Sequence, residues 1–290
     1  MKYDVMFIGP VTRDHNIDYQ GDEVHDIGGA VYFCAYAAKA AGANVFSAIK
    51  ISPEDADILE HFDFPKESLA LLPSAKTTLM RNTYFTADRE RRRAECLAQS
   101  DPIALDEIPQ VDCKLYHLSG LLYGDFPNEL ISGLKQRGMV SADIQGFLRH
   151  NENGSMNFHD WADKREYLPL FDFLKTDAAE AEILTGLSDR AEAARTLCGW
   201  GAKEVMVTHN TEVLICDGAE VYTSPIKARS LVGRTGRGDT AFAGYIVERL
   251  RGGIPQALRY SAALVSLKME SPGPFRGTRE DVLEYMRAFY

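Results

Sequence analysis

Short apolar runs alternate with helix-like patterns along almost all of the 290 residues, and this alternation limits the fold more than any single residue does. Strands are expected at 4–9, 45–50, 115–119, 139–145, 171–175, 204–208 and 213–216, and helices at 30–41, 128–137, 178–185, 190–200, 239–250 and 255–269. Strand-then-helix repetition implies a parallel sheet, because each crossover needs a helix and lays it on one face of the sheet or the other. The helix AVYFCAYAAKAA at 30–41 is rich in small residues, which lets its backbone lie close to that sheet. The expected fold class is therefore α/β, with three layers and a mostly parallel central sheet.

Two segments depart from this rhythm. Residues 11–27 are polar and turn-rich, and residues 77–105 alternate with period two and carry many Thr, Tyr and Phe side chains. Both read as antiparallel strands outside the main sheet, paired as a small flap. No internal repeat, low-complexity tract or Pro/Ser linker divides the chain. Residues 1–290 are thus expected to form a single domain, with lid strands from about 11–27 and 77–105.

Charge narrows the partners. The formal net charge is −10, which argues against a broad nucleic-acid surface, since duplex binding needs many phosphate-neutralising Lys and Arg side chains. A small anionic ligand needs only a local group of donors. The basic run RERRR at 89–93 is read as a solvated face. The cysteines at 34, 96, 113, 198 and 216 form no C-x-x-C pair and no zinc-like cluster with His, as expected of reduced thiols. The opening MKYDVMFIG runs straight into a strand without a signal-peptide core, and no apolar run is long enough for a bilayer. A cytoplasmic protein with no membrane partner is expected.

The chemistry concentrates in GRTGRGDTAFAGY, residues 233–245. In an open parallel sheet, ligands bind beyond the carboxyl ends of the strands, where loops feed helix N-termini. Glycines there let backbone N–H groups turn inward, and the helix start adds positive partial charge, so phosphate is the natural guest. A P-loop is excluded because no Lys-Ser/Thr pair follows the last glycine. Asp239 falls at the N-cap or first turn of the following helix, so it is either a helix cap or a base beside an anion cradle. An exposed Arg-Gly-Asp adhesion signal would require an extracellular loop. The His residues suggest no ligand role; His117 and His209 sit at strand ends as core or rim residues.

Thr235-Gly-Arg-Gly-Asp239, followed by Thr-Ala-Phe-Ala-Gly, resembles the G-A-G-D signature of the ribokinase-like (PfkB) sugar and nucleoside kinases. Other segments resemble that family in the right order. Asp26-Ile-Gly-Gly-Ala, with Ala41-Gly42 closing the helix, is similar to the N-terminal Gly-Gly motif, and Asp14 lies where members hold a substrate hydroxyl. Ser141-Ala-Asp-Ile-Gln-Gly resembles the central strand ending in Asp-x-x-Gly. Lys175-Thr-Asp-Ala-Ala-Glu, running on to Leu-Thr-Gly186, is similar to the N-x-x-E segment, and Val205-Met-Val-Thr-His resembles the nucleotide-loop strand. The resemblance spans nearly the whole chain.

The resemblance implies a ribokinase-like fold with a small β lid and phosphoryl transfer from ATP to a hydroxyl of a small sugar or polyol. A nucleoside acceptor and a catalytically silent ligand-binding homologue are the alternatives. Asp239 would be the base, with the Gly236, Arg237, Gly238 and Asp239 backbone as the anion hole. Asp14, Gly28, Gly29, Asn82 and Asp143 would form the acceptor site, with Tyr84 beside Asn82 on the lid. Thr208, Thr235 and Gly273 would lie in the nucleotide pocket, and Asp177 and Glu180 would hold Mg2+ near the phosphates. Arg237 replaces the usual alanine and Arg234 a threonine; Arg234 is expected to face solvent, and Arg237 to reach either phosphate or solvent. Gly233 stands where an aspartate is common, which leaves a monovalent-cation requirement open. A homodimer through paired lids is expected from the exposed lid strands.

Overall fold

A computed structural model describes residues 2–86 and 91–290. The elements in chain order are β1 (Tyr3–Pro10), β2 (Thr12–Ile17), β3 (Glu23–Gly28), α1 (Ala30–Ala40), β4 (Val45–Ile51), β5 (Leu69–Pro73), β6 (Thr78–Tyr84) and β7 (Arg92–Ala98). Next come β8 (Cys113–Leu118), α2 (Asn128–Lys135), β9 (Met139–Asp143), α3 (Gln145–Leu148), β10 (Arg149–Glu152), β11 (Ser155–Phe158), α4 (Lys164–Tyr167) and β12 (Phe173–Asp177). The chain closes with α5 (Ala178–Thr185), α6 (Arg190–Gly199), β13 (Glu204–Thr208), β14 (Glu212–Cys216), β15 (Val221–Pro225), α7 (Arg237–Arg249), α8 (Ile254–Lys268) and α9 (Arg279–Phe289).

The main sheet has nine strands in the order β15-β14-β13-β12-β9-β8-β1-β4-β5. Its strands from β13 through β5 run parallel, and at one edge β14 runs antiparallel to both of its neighbours, β13 and β15. Alternation along β1 shows why both faces need cover. Val5 and Phe7 join the core under α1, α7 and α8, while Met6 and Ile8 join the one under α2, α5 and α6. The helix α1 is buried over almost its whole length and packs on α7, which packs on α8.

From β1 the chain steps outward to β4 and β5 on one side, and then to β8, β9, β12 and β13 on the other. The order therefore reverses between β1 and β8, the kind of switch point beyond which α/β sheets bind ligands.

A second, six-stranded sheet has the order β10-β11-β7-β6-β2-β3. The segments at 11–27 and 77–105 supply β2, β3, β6 and β7. Here two sequence expectations change. β2 pairs with β6 in parallel rather than antiparallel fashion, and the chain at 149–158 contributes β10 and β11, read from sequence as neither strand. Of the run at 89–93, residues 89 and 90 lie outside the described residues. Arg92 is not a simple solvated side chain, because it faces the cavity described below.

Candidate active site

Beyond the carboxyl ends of the parallel strands lies a cavity of about 820 Å3, walled by both sheets. That size suits a small polar ligand together with a phosphate-bearing one. The main sheet contributes Asp143, Lys175, Asp177 and Thr208 from the ends of β9, β12 and β13. The second sheet contributes Thr12, Asp14, Asn82, Tyr84, Arg92 and Arg149, and residues 234–239 form a further part of the wall.

The start of α7 explains the glycines. Gly236 is the N-cap with φ 75, a left-handed conformation that side chains resist, and a Cβ there would lie 2.2 Å from the Phe33 ring. Because the cap has no side chain, nothing satisfies the first helical N–H groups from within. The Arg237 N–H closes a turn on the Arg234 carbonyl at 3.2 Å, and the Thr240 N–H bonds Gly236 at 2.9 Å. Among the described residues the N–H groups of Gly236, Gly238 and Asp239 have no backbone partner, so of the four N–H groups expected to form an anion hole only that of Arg237 is engaged in a turn. Asp239 sits in the first turn, not at the cap, and makes no capping bond. Its carboxylate is left for other work.

Lys175 dominates the electrostatics, although sequence reasoning gave it no role. It is 7% exposed, and its ammonium donates to Asp143 Oδ2 at 2.7 Å. It packs so closely on Gly238 that a Cβ there would lie 3.2 Å from Nζ. Asp143 and the neighbouring Glu180 and Asp239 carboxylates hold the Lys175 pKa above its ordinary value despite burial. Burial pushes the Asp239 carboxyl up to about 6, with Lys175 opposing the rise and Asp143 adding to it. Both the Asp143 side chain and Arg149 stand in this charge cluster; burial and Arg92 lower the Arg149 pKa, while Glu180, Asp143 and Asp239 hold it up.

The expected acceptor residues converge. Thr12 donates to Asp14 Oδ1 at 2.6 Å, and burial raises the Asp14 pKa against that bond. Gly28 stands off the cavity wall behind this carboxylate, where a Cβ would lie 2.3 Å from Asp14 Oδ2, whereas Gly29 is on the wall as the N-cap of α1. Asn82, 6% exposed, donates to Asn16 at 3.1 Å.

On the other side, Thr208 and Thr235 line the cavity; the Thr208 hydroxyl donates to Thr176 O at 3.4 Å. Gly273 is exposed and lies just outside the lining, beside Pro272. Arg237 and also Arg234, expected to face solvent, both lie along the wall.

Asp177 and Glu180 form a capping box on α5. Asp177 Oδ1 accepts the Glu180 N–H at 2.9 Å, and Glu180 Oε2 accepts the Asp177 N–H at 2.8 Å. Glu180 is buried behind Asp177, and burial pushes its carboxyl up to about 7 against the pull of Lys175. Only Asp177 reaches the cavity, with its second oxygen uncommitted to the cap. A single carboxylate with an uncommitted oxygen suits Mg2+, which takes oxygen ligands and keeps most of its waters.

Comparison with known proteins places the chain in a family. Residues 104–279 match the pfkB family of carbohydrate kinases. The cytidine kinase of Thermococcus kodakarensis is 30% identical over 271 residues, covering 86% of this chain and 89% of that protein. A pyrophosphate-dependent kinase of the ribokinase family, solved with a pyrophosphate analogue and myo-inositol, is 33% identical; the match covers 97% of this chain and 99% of that one, with a TM-score of 0.87. The ribokinase of Arabidopsis thaliana, solved with ribose and ATP, shares the fold at 15% identity, 99% coverage of each chain and a TM-score of 0.78. The chain belongs to the pfkB, ribokinase-like family of carbohydrate kinases. It is a phosphotransferase that uses a hydroxyl group as acceptor.

Proposed function

We propose that this protein moves a terminal phosphoryl group onto a hydroxyl of a small polyol or sugar, with ATP as the donor expected from the sequence. The observation that carries the reading is the placement of Asp239 and the free N–H groups of the α7 start in one cavity with Asp14 and Asn82. The acceptor lies against Asp14, Gly29 and Asn82, and Asp143 keeps Lys175 charged at the boundary between acceptor and donor. Asp239 takes the proton of the attacking hydroxyl, a task matched to a carboxyl whose pKa has been lifted toward neutrality. The Gly238 and Asp239 N–H groups and the Lys175 ammonium face the charge that spreads over the moving phosphoryl group. Thr208, Thr235 and Arg237 flank the donor. Mg2+ carried with the donor and held through Asp177 supplies positive charge to its phosphates.

A second reading, pyrophosphate as donor, has a specific observation in its favour. The relative at 33% identity is pyrophosphate-dependent, and Arg234 and Arg237 both stand on the wall beside the cradle. That same relative points to an inositol-like acceptor, and the cytidine kinase to a nucleoside. The test is phosphorus NMR of the protein with Mg-ATP or Mg-pyrophosphate and, in turn, myo-inositol, ribose, fructose and cytidine. A new phosphomonoester with one donor decides between the readings, and no ester with any pair refutes both. A homodimer through the exposed β3 edge of the second sheet belongs to the same proposal and is read by sedimentation.

A further inference from the structure

Lys268 ends α8 with its side chain turned inward and is 1% exposed. Its ammonium has no carboxylate within ion-pair distance among the described residues. It donates instead to the main-chain carbonyls of Gly233 and Thr235, with the Phe33 ring 5.4 Å away. Burying an ammonium without a carboxylate in direct contact is unfavourable, and a neutral side chain of the same length would fill the space at less cost. The charge therefore calls for a purpose.

Its two partners belong to the turn that delivers the chain into the cradle, directly before the Gly236 cap. That turn is pinned against the end of α8 from the same side. The Gly233 N–H donates to Met269 O at 2.8 Å, and a Cβ on Gly233 would lie 1.9 Å from Ser271 O. Lys268 thus grips the turn from beneath, on the side away from the cavity, and lines no part of the cavity itself. Its positive charge also favours the ionised form of Asp239. On its other side Lys268 borders a second depression of about 630 Å3, which offers a route for small solutes.

Main-chain carbonyl oxygens converging on one point also make up a donor set for a dehydrated potassium ion, which bears the same charge as an ammonium group. We propose that Lys268 acts as a tethered monovalent cation, holding the turn at 233–235 in its anion-binding shape and freeing the protein from any need for dissolved potassium. The inference rests on the reading of the α7 start as the phosphate cradle. Lys268 is a positioning residue that acts through the backbone.

The experiment measures binding of inorganic pyrophosphate and of Mg-ATP by calorimetry in tetramethylammonium, sodium, potassium and ammonium chlorides at equal ionic strength. It uses the wild-type protein and Lys268→Ala, which leaves room for an ion beside the two carbonyls and whose fold is checked by circular dichroism. Wild-type affinity is expected to change by less than about twofold across the salts. The variant is expected to lose roughly tenfold or more in tetramethylammonium, comparable to removing a cradle donor, and to recover most of it in potassium or ammonium. Turnover should follow the same pattern.

Three results overturn the proposal: a wild-type protein that needs potassium, a variant that binds normally without it, or a loss that no cation repairs. Should the alanine variant not fold, Lys268→Ser, which also leaves room for an ion, replaces it with the same expectations. Binding is read without an acceptor, so a wild-type protein that binds either probe but phosphorylates nothing contradicts the kinase reading while this test still decides. A wild-type protein that binds neither probe overturns the proposal together with the cradle.

Discussion

At the scale of single residues, the site depends on how Lys175 is balanced. It sits among Asp143, Glu180 and Asp239, and its removal leaves the buried Asp143 without its ion-pair partner. Lys175→Met should therefore lower stability by about 3 kcal/mol, measured by urea unfolding. It should also change the pH profile. Asp239 accepts a proton only when ionised, so kcat/KM for the wild type should rise with pH and level off above about 6. Lys175 favours the ionised carboxylate, so its loss raises that pKa and moves the rising limb to higher pH. A limb that stays in place would remove Lys175 from the neighbourhood of the base. Asp239 stands out in the sequence because a glycine-rich run feeds its helix, whereas Asp14 and Asn82, which lie within β2 and β6, are offered only by the resemblance to the ribokinase-like kinases and the reading of their segments as a lid. Lys175 stands in the segment that carries Asp177 and Glu180, and no motif marks it. The legible signal was period two along β12, which puts a lysine on the same face as Asp177 at the buried end of a parallel strand.

At the scale of elements, the beginning of α7 carries the most consequence. Gly236→Ala forces a side chain into a left-handed residue and against Phe33, so the helix start must move. The expected outcome is a loss of pyrophosphate or Mg-ATP affinity together with a cost of about 1–3 kcal/mol in stability, read by calorimetry and by urea unfolding. At α5, Asp177→Ala removes one half of the capping box and should cost about 1 kcal/mol; a raised Mg2+ requirement in turnover separates its cavity role from its cap. The sequence pattern located most strands and helices to within a few residues, because apolar periodicity is local. It failed where a short-range bond ended an element: Asp143 Oδ1 accepts the Gln145 N–H at 3.1 Å, so β9 stops at Asp143, and the chain turns back to bring Arg149 to the cavity. The strands RHNE and SMNF are short and polar, with no alternation to reveal them.

At the scale of the whole molecule, the cavity is a joint product of two sheets that are far from independent in sequence. β2 leaves the main sheet directly after β1 and pairs with β6 more than sixty residues later, a contact that no local pattern encodes. Ligands held between the sheets should stabilise the folded state as a unit. At a hundred times its dissociation constant, a ligand adds about 2.7 kcal/mol, which for a chain of this length is a rise of roughly 5 °C in Tm by scanning calorimetry. Separate transitions, only one of which shifts, would show that the second sheet does not share the site. The decisive measurement compares the wild type with Asp239→Asn, using phosphorus NMR for transfer and calorimetry for donor binding. Turnover of the variant should fall by about a hundredfold to ten-thousandfold while donor affinity stays within a few-fold. Transfer at the wild-type rate by that variant would contradict the assignment of Asp239 as the base.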